Sequence, residues 1–263
     1  MSDPKHFPDD PLQMPPPYWE DSGALDQFIR SIEMVVALLP GLFDEGDRIS
    51  PLVDAYHERR DANGPEYDPE YEEFADISND FMDLEIAIVS YSDLCVFMGG
   101  ISVETLINKF LVYNFHRDIC EPLESLSPPD KLVIASALTG FPGVKSTAPY
   151  EATKQLSKKR NAFAHGHCVD RLTSNMRKNH LRNEGPGIQN ARRSVDNLVS
   201  AITWYLCVHD YLCGITKNQY VIGVDDKADS EKIRGLLSEV RKYSFSGIDE
   251  YFPYVISRKD CIV

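Results

Sequence analysis

Apolar residues recur along this chain at the three-to-four spacing of amphipathic helices. Leu25, Phe28, Ile29, Ile32, Val35, Val36 and Leu39 form one stripe, which Asp21 or Ser22 opens and Pro40-Gly41 closes. A weaker helical pattern covers 47–60 and ends at the Asn63-Gly64-Pro65 break. Pro69 then opens the longest helical stretch, reaching about Asp118. Phe74, Ile77, Phe81, Leu84, Ile88, Leu94 and Phe97 serve its first half, and Leu106, Ile107, Phe110 and Leu111 its second. Gly99-Gly100 is expected to kink or split it.

Further on, residues 131–138 predict a short helix between Pro128-Pro129 and the Gly140-Phe141-Pro142-Gly143 turn. A helix over 149–165 follows, then a polar, basic stretch of about 22 residues, long enough for a functional loop. The next strong helix spans 189–213, with Val195, Leu198, Val199, Ile202, Leu206 and Leu212 inward and Gly214 at its end. Trp204, Tyr205 and Tyr211 on it are read as packing groups. Val221–Val224 reads as a short strand, and 230–243 as a last helix. The chain is therefore expected to be all-α. Residues 1–20, with six prolines, form an irregular arm; 21–215 form the helical domain; 216–263 form a C-terminal extension with one helix.

At 263 residues and 43% hydrophobic content, the chain fits one large domain with appendages. No uninterrupted apolar run approaches the roughly 18 residues of a membrane span. Six cysteines without a Cys-x-x-Cys pair read as buried free thiols of a reducing cytoplasm. Cys168 with His165 and His167 falls short of a zinc ligand set, so neither a metal nor a cofactor is expected.

The net charge of −14 argues against general nucleic-acid binding, but the average hides a contrast. Residues 154–193 carry ten Lys/Arg against Asp170 and Glu184, a net of +8, while the remainder carries −22. One basic segment in an acidic body suits a local polyanion site. Lys158, Lys159, Arg171, Arg177, Lys178 and Arg182 are its candidate RNA contacts.

That segment begins on the 149–165 helix. Pro149 opens it, Gly166 stops it, and Leu156 and Phe163 lie two turns apart on one face. Asn161 and His165 share one strip of the helix, and Arg160 stands about 100° round from Asn161. A guanidinium, a carboxamide and an imidazole bordering one pocket suit phosphate. Histidine titrates in the range that proton transfer near neutral pH requires. The last-turn position of His165 favours its imidazolium. On the long helix, Glu104 and Asn108 share a strip.

The Arg160-Asn161-x-x-x-His165 pattern resembles the Arg-polar-x-x-x-His signature of HEPN-domain proteins, many of which are RNA-cleaving toxins and defence effectors. Residues 80–213 match best, with Glu104 and Asn108 resembling the Glu and Asn that recur near the cleft on the second HEPN helix. The resemblance implies a helical bundle of four to six helices and a metal-independent endoribonuclease acting as a homodimer with a composite cleft. Arg160, Asn161 and His165 would be catalytic, Glu104 and Asn108 supporting. It also implies an inhibitory or sensing partner protein. In toxins silenced by a partner nucleotidyltransferase a Tyr stands two residues after the motif His; His167 stands here, so that regulation is not expected, and His167 is a reserve for the proton role. The alternative is a catalytically silent module that binds nucleotide or RNA, or docks a partner.

Overall fold

The computed structural model describes residues 23–63, 71–164, 188–215 and 224–244. Among the described residues there are seven α-helices and no strand: α1 (Gly23–Asn63), α2 (Tyr71–Asn114), α3 (Arg117–Cys120), α4 (Pro128–Leu138), α5 (Ala148–Ala164), α6 (Ile188–Ile215) and α7 (Val224–Arg241). The fold is all-α as expected, with six of the described helices within 21–215 and α7 in the C-terminal extension. The 1–20 arm lies outside the described residues, as do all but the last residue of the 167–188 loop and Val221–Gly223 of the expected strand; Val224 opens α7 instead.

α2 is the central element, packed against α1, α4, α5 and α6; α5 also packs against α6, and α7 against α6 and α1. One apolar cluster runs through all the long helices. Phe28, Ile32, Leu39 and Leu42 of α1, Ile88, Ile107 and Phe110 of α2, Leu132 of α4, Leu156 of α5 and Leu198, Ile202 and Leu212 of α6 are fully buried in it. Each such side chain contributes about 1.5–3 kcal/mol by leaving water.

That burial corrects two predicted boundaries. α1 continues through Pro40 and Pro51, where a stop was expected at Pro40-Gly41. A proline inside a helix costs about 3 kcal/mol and a glycine about 1. Leu39 and Leu42, on either side of the break, are both fully buried, and packing on that scale outweighs the local propensities. α2 likewise runs unbroken through Gly99 and Gly100. These glycines serve close approach. A Cβ on Gly99 would lie 3.0 Å from the Phe28 ring, which also meets Tyr205 of α6 at a centroid distance of 5.2 Å.

α4 begins at the Ser127 cap, whose Oγ accepts the Asp130 N–H, with Pro128 and Pro129 in its first turn. Its buried Ser136 accepts a hydrogen bond from the Tyr211 hydroxyl at 2.9 Å, tying α4 to α6. Tyr205 and Tyr211 are buried, as a packing role requires; Trp204 is only partly so. Of the described cysteines Cys95 and Cys207 are buried, Cys120 is partly buried, and Cys213 is exposed, against the expectation of buried thiols.

Two stretches, Asn79–Asn114 and Arg193–Ile215, are long and apolar enough to cross a membrane by length and composition. Isolated charges interrupt both stretches, so neither contains an uninterrupted apolar run of that length. Most of the second window is buried inside the bundle, and less than half of the first.

Candidate functional site

The crossing of α2 and α5 is set by a missing side chain. A Cβ on Gly100 would lie 2.7 Å from the Cβ of Arg160 and 3.0 Å from the Leu156 carbonyl oxygen. With no side chain at 100, α5 settles on α2 and the Arg160 stem runs over the α2 backbone. One turn along α2, Glu104 meets the guanidinium and accepts a hydrogen bond from Arg160 Nη1 through Oε2. Both side chains are half-buried, at 20% and 29% exposure, so solvent screens the pair less than it would a surface bridge.

Asn161 completes the arrangement from the solvent side. Its Oδ1 accepts from Arg160 Nε at 3.1 Å and Nη2 at 3.0 Å. A guanidinium carries five N–H groups. Three are used, and two, one on each terminal nitrogen, have no partner among the described residues. Asn161 thus holds one edge of the fork, from Nε to Nη2.

Behind Glu104 lies a lysine that the sequence pattern did not single out. The Lys131 side chain is only 3% exposed. Its Nζ donates to Asn108 Oδ1 at 2.9 Å and sits 3.7 Å from Glu104 Oε1. The Ser127 cap fixes where α4 begins and so which face Lys131 occupies, beside the buried Leu132 and Ala135. Lys131 lies three residues after the buried Pro128, on the buried face of α4. Glu104 and Asn108, one turn apart on α2, are thus brought together with Arg160 through two cations from two other helices.

The other candidates are distributed differently. Lys159, next to Arg160, faces α6: its Nζ donates to Asn197 Oδ1 at 2.8 Å and lies 5.4 Å from the Trp204 ring centroid. Asp93 of α2 belongs to that neighbourhood; burial raises its carboxyl above the usual range and the Lys159 charge partly counters this. Lys158 is exposed, as is Phe163, whose ring meets Phe97 of α2 at 4.8 Å. His165, His167, Arg171, Arg177, Lys178 and Arg182 lie outside the described residues, as does Cys168 of the zinc alternative. Among the described residues no three His, Cys, Asp or Glu side chains are grouped to hold a metal.

A second titratable cluster lies where α6 meets α7. His209, 6% exposed, has its Nδ1 3.3 Å from Asp210 Oδ1, and the same oxygen takes Nη2 of Arg234 from α7 at 2.5 Å. The Cys213 sulfur is 3.9 Å from both ring nitrogens, and the Tyr205 ring stacks at 6.3 Å. Burial works to lower the His209 pKa, but Asp210 and Cys213 beside the ring carry it up to about 9.

Comparison with family models, curated proteins and solved structures gave no match to this chain.

Proposed function

We propose that this chain is a HEPN-type, metal-independent endoribonuclease of the toxin or defence-effector kind, working in the cytoplasm as a homodimer. The observation that carries it is the anchored, half-buried Arg160 fork with Asn161 at its edge, five residues ahead of His165 in the sequence. Cleavage without a metal requires a base for the ribose 2′-hydroxyl, an acid for the departing 5′-oxygen, and positive charge against the phosphorane. Arg160 supplies the charge and Asn161 orients the phosphate. His165 takes one proton role. A single imidazole does not serve both sides of the phosphorus, so the second comes from a partner copy with its motif helix facing the first. Lys158 and the basic residues Arg171, Arg177, Lys178 and Arg182 hold the flanking RNA backbone, with His167 in reserve for the proton role. An inhibitory or sensing partner keeps such an activity in check.

A specific observation favours a second reading. Glu104 occupies part of the Arg160 guanidinium, the arrangement of a structural anchor, and this suits a silent module that binds nucleotide or RNA, or docks a partner. The two separate in one assay: a mixed RNA pool with EDTA present, wild type beside His165→Ala. Cleavage by wild type alone, leaving 2′,3′-cyclic phosphate ends, is the expected result. Equal cleavage by the two proteins, or none by wild type as a purified dimer, sinks the nuclease reading.

A further inference from the structure

Lys131 poses a question of charge balance. Taking an ammonium out of water is unfavourable unless a counter-charge and hydrogen bonds compensate. At 3% exposure Lys131 has borne most of that cost, and it shares its carboxylate with a second cation. To neutralise Glu104, Arg160 would suffice. To anchor Arg160, Glu104 would suffice. Lys131 adds a charge that neither task needs. Among the described residues Glu104 is the one carboxylate in contact with either cation, so the three side chains together carry a surplus of one positive charge.

The surplus has one outlet. Lys131 is closed off by Asn108 and the α4–α2 contact, whereas Arg160 is the most open of the two cations and ends at the exposed Asn161. The Lys131 ammonium on Oε1 also weakens the hold of Glu104 on Arg160, because one carboxylate divides its attraction between two cations. Both effects leave the Arg160 edge electropositive in a partly desolvated setting, where a charge acts more strongly than in water.

We infer that the buried Lys131 is a positioning residue for an anion site at Arg160 and Asn161, and that the surplus of one charge matches the single charge of a phosphodiester in an RNA strand. The ligand class rests on the nuclease reading; the role of Lys131 does not. Lys131 touches no substrate. It acts through Glu104, setting how much of the Arg160 charge remains for the ligand.

The test is binding of a fluorescein-labelled, single-stranded 2′-deoxy decanucleotide, followed by anisotropy at low salt. Without a 2′-hydroxyl the probe is not cleaved, so binding is read independently of catalysis. Arg160→Ala weakens binding by more than ten-fold, the flanking cations holding what remains. Lys131→Met, which keeps the linear stem and removes the charge, weakens it about ten-fold. Glu104→Gln, which removes the competing carboxylate, tightens it about three-fold. A merely structural network moves both variants in the same direction, so the opposite signs are the distinguishing readout. Circular dichroism checks that each variant folds, and if Lys131→Met does not, the sign for Glu104→Gln decides alone. Weaker binding by Glu104→Gln overturns the inference, as does folded Lys131→Met binding like wild type while Arg160→Ala is weakened. Opposite signs in a protein whose wild type cleaves no RNA leave the inference standing and remove the nuclease reading.

Discussion

Replacing Gly100 with alanine places a carbon 2.7 Å from the Arg160 Cβ and 3.0 Å from the Leu156 carbonyl oxygen. Carbon atoms in contact rest at about 3.5–4.0 Å, so α5 has to move away from α2 by roughly 1 Å. Neither obstructing atom swings aside, since one is a Cβ fixed to its backbone and the other is backbone itself. Overpacking of this kind costs about 1–3 kcal/mol. Alanine recovers about 1 kcal/mol of helix propensity within α2. The net loss is about 1 kcal/mol, or roughly 3 °C in Tm for a chain of this size.

The functional effect is expected to be larger than the effect on stability. Arg160 rides on α5 and Glu104 on α2, so separating the helices strains the ion pair and shifts the fork. A displacement of about 1 Å at a positioned group can cost up to 100-fold in rate. Gly100→Ala is therefore expected to lose at least about ten-fold in RNA cleavage and in decanucleotide affinity while its thermal unfolding, followed by circular dichroism, shifts by only a few degrees. Gly99→Ala is the control one residue away. Its Cβ meets the buried Phe28 ring at 3.0 Å, so it disturbs the core beside α1 and leaves the Arg160 contact alone. Comparable stability loss with intact binding is expected there. Should Gly100→Ala melt at or above the wild-type temperature and bind as well as wild type, the account of the α2–α5 crossing is wrong.

Gly235 lies in α7 with open space where a Cβ would go, so Gly235→Ala is expected to stabilise the protein by about 0.5–1 kcal/mol and raise Tm by about 1–4 °C; a lower Tm would contradict it. For His209 the folded pKa of about 9 lies above the ordinary 6.5. Its contribution is accordingly complete below pH 6.5 and disappears as pH rises through 9, a loss on the order of 3 kcal/mol. Asp210, held below the usual carboxylate range by His209 and Arg234 against the opposing effect of burial, stays ionised throughout that window. Urea unfolding of wild type and His209→Gln should therefore give stabilities that converge between pH 6.5 and 9.5, and a constant gap would rule the ion pair out as its source.

Which elements the sequence revealed follows from what each signal measures. Amphipathic periodicity reports burial, and the helices whose apolar stripes end in the core were legible: the Phe28–Leu39 stripe, the Leu106–Leu111 segment, Leu198–Leu212. Proline and glycine report local cost alone, and there the expected breaks at Pro40-Gly41 and Gly99-Gly100 did not occur. In α1 the flanking leucines outweigh that cost. In α2 the two glycines are what allow Phe28 and Arg160 to approach, a tertiary reason that no local pattern carries.

The site divides along the same line. Arg160 and Asn161 were visible because they are neighbours in sequence, and Glu104 and Asn108 because they stand one helical turn apart on α2. That these two strips face each other depends on Gly100. Lys131 was invisible as chemistry because a lysine in a short, capped helix reads as a solvated first-turn residue; only the α4–α2 packing buries it against Asn108 and Glu104. Lys158 and Lys159 were both read as RNA contacts and Arg160 as catalytic, and the described members do different work: Lys158 faces solvent, Lys159 is held by Asn197 and Trp204, and Arg160 by Glu104. Three consecutive positions on a helix point about 100° apart, so a run of like charge in sequence is divided among different neighbours in space. The local positive field at Arg160 then owes more to Lys131, from another helix, than to its sequence neighbour Lys159, whose charge is turned toward α6 and Asp93.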